Sequence, residues 1–284
     1  MKVIFDKSAF HDHFDLLEGS PLLQLANERK VLVYHTAMFL EEVLKGQGSE
    51  ARDELRRQWQ FLRSICNGGW FKPLLDSASD LKSICDDELS GAQQESDWPL
   101  TPTRLRTSVE AKITYCIERS EPFPNQDNAF GTIAENNETK KKNRAKLVQR
   151  RNQPLTGKRE TFAEYYQSSA DIYALKVIEF LGQPQIKLNS WTLNPQAFPH
   201  FSAFVELFVY AEYDAERNQN SPLDSNWFED AQQLCFLLDV DAIVSSDRGF
   251  MRRAFEALWQ ARGKRRFTPE ELVTQLSHID GACR

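Results

Sequence analysis

The sequence predicts an α/β protein with a central parallel sheet and a large, mainly helical insertion. Apolar runs at residues 3–5, 31–34 and 242–244 lack polar alternation, which is typical of strands buried on both faces of a parallel sheet. Stretches with apolar residues at helical spacing separate these runs. The chain has 284 residues, of which 41% are hydrophobic, so it can bury a large core.

The remaining elements follow in order from the first strand to a carboxyl-terminal helix. A short turn region is expected around residues 11–13, and an exposed loop at residues 122–137, which are rich in Pro, Asn and Gly. Residues 251–259 form a basic amphipathic segment. Helices are expected at residues 14–25, in two pieces, and at 37–45, 49–89, 105–117, 161–181, 201–217, 226–238 and from 269 onward.

Three of these helices begin with recognisable capping residues, and in the helix at residues 226–238 Asn226 and Glu229 fit a capping box. Thr36 is a favourable N-cap for the helix at residues 37–45. Thr268 precedes Pro269 and stands three residues before Glu271, which is the pattern of a capping box. These residues mark the positions at which the helices begin.

Several acidic residues stand where the predicted elements could converge. Asp6 ends the first strand and Asp247 follows the strand at residues 242–244, and open α/β sheets bind ligands at the carboxyl ends of their strands. Asp230 falls in the first turn of a predicted helix. Glu42 borders the apolar face of another helix, with Glu41 beside it as the alternative.

Carboxylates gathered in one place repel one another unless a cation neutralises them. Ligation by oxygen alone favours Mg²⁺ or Mn²⁺, which keep some waters and bind substrate phosphates. Such ions activate water for attack on phosphorus and stabilise the leaving oxygen. The set of acids therefore predicts metal-dependent phosphodiester hydrolysis, although each acid alone is equally consistent with a surface cap or salt bridge.

Other catalytic classes lack their sequence patterns. The chain contains neither a Gly-x-x-x-x-Gly-Lys-Ser/Thr phosphate loop nor a Gly-x-Ser-x-Gly nucleophile elbow. A haloacid-dehalogenase-like phosphatase requires Asp-x-Asp after its first strand, and Ser8 occupies the second of those positions. Five scattered cysteines without a Cys-x-x-Cys pair argue against a disulfide framework and against structural zinc.

Basic residues are concentrated in one segment, although the whole chain carries a formal charge of -6. With no acid among them, they are Lys140, Lys141, Lys142, Arg144, Lys146, Arg150, Arg151, Lys158 and Arg159. A basic segment on an acidic chain indicates a polyanionic partner. Charge alone is equally consistent with a solvated loop.

Five short blocks resemble, in order and composition, the motifs of the PIN-domain family of metal-dependent nucleases. They are Val-Ile-Phe-Asp-Lys-Ser at residues 3–8, Glu-Val-Leu-Lys-Gly at 42–46, Asp230-Ala231 followed by Leu234, Ser-Ser-Asp-Arg-Gly-Phe at 245–250, and Phe-Thr-Pro-Glu-Glu-Leu at 267–272. The last block is similar to the family's closing strand and final helix. Two departures are the Glu41-Glu42 doublet and Ser245, where the family more often has Thr.

The resemblance implies a PIN-like three-layer fold with a discontinuous nuclease core at residues 1–48 and 224–284. Residues 49–223 would then form the mainly helical insertion, with a basic loop at residues 138–160. It further implies a divalent-metal-dependent ribonuclease, an endoribonuclease, that uses Mg²⁺ or Mn²⁺. The residues that serve both as metal ligands and as catalytic groups would be Asp6, Glu42, Asp230 and Asp247.

The expected partner is RNA or single-stranded nucleic acid, because a basic loop neutralises phosphates without reading bases. Its contacts would come from Lys140, Lys141, Lys142, Arg144, Lys146, Arg150 and Arg151. Phe162, Tyr165 and Tyr166 could stack on bases, although their helical spacing favours core packing. The resemblance also allows a protein inhibitor.

The chain is expected to be cytoplasmic and without a membrane partner. No apolar run approaches the roughly 18 residues of a membrane helix, and the amino terminus is charged where a signal peptide would be apolar. The alternative function comes from a different class: a PIN-like RNA-binding or scaffolding protein without turnover. The presence of all four acids favours the enzyme.

Overall fold

The structure is a computed structural model and describes residues 1–36, 39, 52–71, 161–180, 196, 198–217 and 227–281. At its centre lies a five-stranded sheet in which every pairing is parallel. The strands are β1 (Lys2–Phe5), β2 (Leu32–Thr36), β3 (Gly69–Phe71), β4 (Ala242–Val244) and β5 (Arg265–Phe267). The α/β class with a central parallel sheet is thus confirmed.

The strands lie in the order β3-β2-β1-β4-β5. From β1 the chain proceeds through β2 to β3 at one edge, whereas β4 and β5 extend the sheet toward the other edge. Val3, Ile4 and Phe5 of β1 pair with Ala242, Ile243 and Val244 of β4. The direction of winding reverses between β1 and β4, which makes their carboxyl ends the topological switch point of the sheet.

Helices connect and cover these strands. In the described part of the chain they are α1 (Lys7–His11), α2 (Phe14–Glu18), α3 (Leu22–Asn27), α4 (Arg52–Ile65), α5 (Phe162–Phe180), α6 (Pro199–Arg217), α7 (Trp227–Cys235), α8 (Phe250–Ala254) and α9 (Pro269–Gly281). Short 3-10 and π-helical turns continue α7 to Leu238 and α8 to Arg262. None of these helices is long and apolar enough to span a bilayer.

The sheet separates two hydrophobic cores. Val3 and Phe5 of β1 pack in the core that contains α1 to α4 and α9, whereas Ile4 packs in the core of α5 to α8. Successive strand residues face opposite sides of a sheet, so an apolar run without alternation fills both cores. β1 is flanked by β2 and β4 and covered on both faces, so it is the central strand of the sheet.

The helices expected at residues 161–181 and 201–217 are present as α5 and α6 and pack against each other. The Phe162 ring lies 5.4 Å from the ring centroids of both Tyr210 and Tyr213. Tyr165 and Tyr166 pack against the same core. These aromatic residues therefore contribute to the packing of α5 against α6.

Two predicted helix caps lie among the described residues and are formed, whereas Asn226, the first residue of the third, lies outside them. The Phe39 main-chain N–H, in the first turn after β2, donates to Thr36 Oγ1 at 3.1 Å. At α9, the Thr268 N–H donates to the Glu271 carboxylate at 2.7 Å, and the Glu271 N–H donates to Thr268 Oγ1 at 3.3 Å. The reciprocal pair satisfies two main-chain donors that a helix start leaves without intrahelical partners.

Two elements differ from the sequence prediction. Residues 7–11, for which no helix was expected, form α1 because Ala9 and Phe10 are buried in the core beneath β1, and the turn expected around residues 11–13 follows at residues 12–13. Residues 69–71, expected within a helical stretch, form the edge strand β3 paired with β2. The division at residue 48 therefore assigns to the insertion a strand that belongs to the sheet.

Asn67 fastens the junction between α4 and β3. Its Nδ2 donates to the main-chain oxygens of Ala26 and Val31 at 2.6 and 3.0 Å, and its Oδ1 accepts the Val33 N–H at 2.9 Å. The next residue, Gly68, donates its N–H to the Val33 oxygen at 3.0 Å. One side chain thus ties the entry to β3 both to the end of α3 and to β2.

Candidate functional site

Asp6 occupies the carboxyl end of β1 and is buried. Its N–H donates to the Val244 oxygen at 2.9 Å, which continues the pairing of β1 with β4 by one residue. Its Oδ2 accepts hydrogen bonds from the hydroxyls of Ser8, at 2.5 Å, and Ser245, at 3.0 Å. The position and the orientation of this carboxylate are therefore set by two strand ends and the first turn of α1.

Asp247 lies in the turn that follows β4. Its N–H donates to Ser245 Oγ at 3.0 Å, and its Oδ1 accepts the Gly249 N–H at 2.8 Å. Ser245 is fully buried and is fixed by its own N–H, which donates to the Phe267 oxygen of β5 at 2.9 Å. One hydroxyl thus donates to Asp6 and accepts from the main chain of Asp247, so the predicted proximity of these two acids is present.

The electrostatics of this pair favour a compensating positive charge. Burial raises the pKa of Asp6, and the nearby charge of Asp247 raises it further. Hydrogen bonds from Ser8, Ser245 and the Lys7 N–H lower the pKa of Asp6 without cancelling the rise. The negative charge of Asp6 is therefore costly at neutral pH, and a proton or a cation would relieve that cost.

Arg266 is a further charged residue at this edge. It lies on β5 opposite Ile243 of β4, and its guanidinium donates to the main-chain oxygen of Asp247. Burial lowers the pKa of Arg266, and the charge of Arg252 lowers it further, while Asp247 acts in the opposite direction. Sequence reasoning did not single out Arg266, and the signal that could have done so was a basic residue directly before the closing-strand block at residues 267–272.

The other predicted metal ligands are Asp230 and Glu42. Asp230 is buried in the first turn of α7. Within the described residues, no three Asp, Glu, His or Cys side chains form a group that could hold a metal ion. Asp6, Asp230 and Asp247 thus do not make such a group by themselves. Glu42 and its alternative Glu41 lie outside the described residues.

The nucleic-acid contacts predicted from the basic segment also fall outside the part of the chain that the structure describes. These residues are Lys140, Lys141, Lys142, Arg144, Lys146, Arg150 and Arg151. They remain predictions from the sequence.

The residues present are compatible with one hydrated divalent ion. Asp6 supplies a buried carboxylate that accepts hydrogen bonds from two hydroxyls and a main-chain N–H, and Asp247 supplies a second carboxylate beside it. Mg²⁺ is commonly held by one or two carboxylates, with waters and substrate phosphates completing its coordination. Oxygen ligands of this kind suit Mg²⁺ and Mn²⁺ and do not favour a softer metal.

Comparisons with known proteins do not assign the chain. No protein-family model matches it, and searches of curated proteins and of solved structures returned no match.

Proposed function

We propose that the protein is a divalent-metal-dependent nuclease of the PIN-like class that hydrolyses phosphodiester bonds in RNA. The observation that carries the proposal is the pair of acids Asp6 and Asp247, joined through Ser245 at the switch point between β1 and β4. Ligands of open α/β sheets bind at this position. The strand order and the helices on both faces of the sheet are consistent with the family resemblance of the sequence motifs.

Asp6 and Asp247 would hold Mg²⁺ or Mn²⁺, and the motif resemblance adds Glu42 and Asp230 as further ligands. When bound, the ion supplies a more acidic water and stabilises negative charge on the leaving oxygen. Four acids would give the site more negative charge than two, and hence a greater requirement for the cation.

The remaining residues of the site keep the acids in place. Ser8 and Ser245 direct their hydroxyls at the same oxygen of Asp6, so the other oxygen, Oδ1, can face a ligand. The turn from Ser245 to Gly249 restrains Asp247 through its N–H and one carboxylate oxygen. Restraint of this kind lowers the cost of assembling like charges around one ion, because the acids do not have to be ordered on binding.

RNA is the proposed substrate because of the basic residues at 140–159, whose charge suits a phosphate backbone. Endonucleolytic cleavage and control by a protein inhibitor belong to the same proposal and follow from the family resemblance. A second candidate is an RNA-binding or scaffolding protein of the same fold without turnover. The pairing of only two acids within the described residues favours that candidate.

Metal-dependent cleavage separates the two candidates. Labelled single-stranded RNA and DNA would be incubated with the purified protein in Mn²⁺, in Mg²⁺ and in EDTA, together with two variants. Asp247→Asn keeps the side-chain shape and removes a proposed ligand, whereas Asp12→Asn makes the same change at an exposed acid just after α1. We expect cleavage of RNA by the parent and by Asp12→Asn, and a loss of about 100-fold or more in Asp247→Asn.

The same proteins would be melted with and without Mn²⁺. An ion that binds the assembled native site stabilises the folded state, so the parent should gain more melting temperature than Asp247→Asn. RNA binding without cleavage in any metal would contradict the nuclease and favour the binding protein. Equal activity and equal Mn²⁺ shifts in the two variants would remove Asp247 from the site.

A further inference from the structure

Three arginines between β4 and β5 are each neutralised by a carboxylate. Arg253 forms a bidentate pair with Asp214, at 3.0 and 2.7 Å. Arg262 donates to Glu206 at 2.6 Å, and Arg252 pairs with Glu256 one helical turn away at 2.7 Å. Such partners are the usual arrangement for a cation that is partly withdrawn from water.

Arg266 departs from this arrangement. It is only partly exposed, and within the described residues it forms no ion pair with a carboxylate: its guanidinium donates to the main-chain oxygen of Asp247, and its Nε has no hydrogen-bond partner there. Asp247, Glu271 and Glu256 act on it only through space. Because Nε is buried, a ligand would be met by the terminal Nη groups of this guanidinium, which has five donor hydrogens in all.

A second guanidinium lies close to Arg266. Arg252, exposed on α8, is near enough for its charge to lower the pKa of Arg266. Glu256 compensates the charge of Arg252, whereas Arg266 has no such carboxylate partner among the described residues, so an anion bound between the two guanidiniums would relieve their repulsion. Planar guanidinium forks match the oxygens of a phosphate group, which can accept from several donors at once.

We propose that Arg266, together with Arg252, binds a phosphate of the nucleic acid backbone and thereby sets the neighbouring phosphodiester against Asp6 and Asp247. The choice of nucleic acid as the ligand rests on the proposed function. The bond from the guanidinium to the Asp247 oxygen fixes the distance between the bound phosphate and the turn that carries the acid. Arg266 is thus a substrate-binding residue on β5, in addition to the basic segment at residues 140–159.

The test is RNA binding in EDTA, where metal-dependent cleavage cannot occur. Anisotropy of a labelled 12-nucleotide single-stranded RNA would be titrated with the parent and with Arg266→Gln, Arg266→Lys and Arg252→Gln at several salt concentrations. Arg262→Gln is the matched control, because it removes the same charge from an exposed site on the same connection between β4 and β5 and pairs with Glu206. Melting curves of each variant would show which of them fold.

We expect Arg266→Gln to weaken RNA binding by about tenfold and to reduce the salt slope by about one phosphate contact. Arg266→Lys should fall between Gln and the parent, because it keeps the charge and loses the fork. Arg252→Gln should weaken binding by about threefold, as expected for an exposed contact. Arg262→Gln should remain close to the parent.

A folded Arg266→Gln that binds RNA like Arg262→Gln, with the parent's salt slope, would overturn the proposal, and so would a parent that does not bind RNA. If Arg266→Gln fails to fold, an Arg252→Gln affinity equal to that of Arg262→Gln overturns it. Binding that depends on Arg266 without any Mn²⁺-dependent cleavage would support this inference and contradict the nuclease. Mn²⁺-dependent cleavage by the parent, together with unaltered RNA binding by Arg266→Gln, would support the nuclease and contradict this inference.

Discussion

A single hydroxyl, that of Ser245, serves both acids of the candidate site. It donates to Asp6 Oδ2 and accepts the N–H of Asp247, each at 3.0 Å. Its neighbour Ser246 has a buried hydroxyl with no partner in the described part of the chain. Two adjacent serines therefore differ in one respect: only the first hydroxyl holds charged and main-chain partners.

Ser245→Ala should destabilise the fold by about 1–3 kcal/mol, because it leaves a buried carboxylate with one donor fewer and the Asp247 N–H without its acceptor. Ser246→Ala should change stability little, since it removes a hydroxyl without a partner among the described residues. Urea denaturation of both variants and the parent measures the difference. Equal losses would mean that the Ser245 bridge contributes nothing specific.

Asp6→Asn tests the cost of the buried charge. Burial raises the pKa of Asp6 in the folded protein, so the stability that protonation provides is present below the unfolded pKa, about 3.9. That stability is lost as pH rises through the folded pKa. Without metal, Asp6→Asn should therefore melt higher than the parent at pH 7 and show no gain at pH 3.

Asp12→Asn is the control for Asp6→Asn, because Asp12 is exposed. Its melting temperature should follow the parent at both pH values. A parent that remains as stable as Asp6→Asn across the whole range would show that the Asp6 carboxylate carries no electrostatic cost in the folded state. Mn²⁺ should reverse the order at pH 7 if Asp6 is a ligand, since the ion binds only the native site.

At the scale of elements, β3 depends on a side chain outside any strand. The Asn67 amide makes three main-chain hydrogen bonds, two as donor and one as acceptor. Asn67→Ala should cost about 2 kcal/mol, a value limited by water that can replace part of these bonds. Asn67→Asp keeps the acceptor and loses both donors, so its cost should be comparable or greater.

Chemical denaturation of these two variants beside Asn27→Ala measures that contribution. Asn27 is an exposed amide at the end of α3, and its loss should change the free energy of unfolding by less than about 0.5 kcal/mol. Hydrogen exchange should also be faster in β3 of Asn67→Ala than in β1. Uniform exchange in both strands would contradict a local role for Asn67.

The strands and helices that are determined by residues close together in the chain could be predicted from the sequence. The apolar runs of β1 and β4 and the box formed by Thr268 and Glu271 are examples, since both depend on neighbours in the chain. In α1, burial of Ala9 and Phe10 under the sheet decides the conformation. β3 is three residues long and exists because β2 offers an edge for pairing.

The candidate site likewise has one part that could be predicted from the sequence and one part that could not. That Asp6 and Asp247 lie near each other follows from two parallel strands that each end on an acid, and this could be predicted. The bridge through Ser245 and the position of Arg266 depend on the register of β4 against β1 and β5. A register of this kind is a property of tertiary packing, and no local pattern in the sequence specifies it.

At the scale of the molecule, the charge is unevenly distributed: nine basic residues at 140–159 belong to a chain of net charge -6. Deleting residues 140–159 should weaken RNA binding and flatten its dependence on salt, because fewer counterions are released. The melting temperature should change little, since the segment lacks apolar periodicity. Anisotropy titrations of parent and deletion variant at several salt concentrations provide the test, and an unchanged slope would exclude the segment from RNA contact.

The pairing of β1 with β4 joins residues that are synthesised far apart in time. Asp6 and Ser245 are separated by 239 positions, yet the second supplies a hydrogen bond that holds the first. On the ribosome, β1 emerges before β4 and cannot pair with it until the residues between the two strands have been translated. A nascent chain shorter than this can therefore pair β1 only with β2. If the protein is the nuclease proposed, a nascent chain that lacks β4 has no assembled site, because its acids have not yet met.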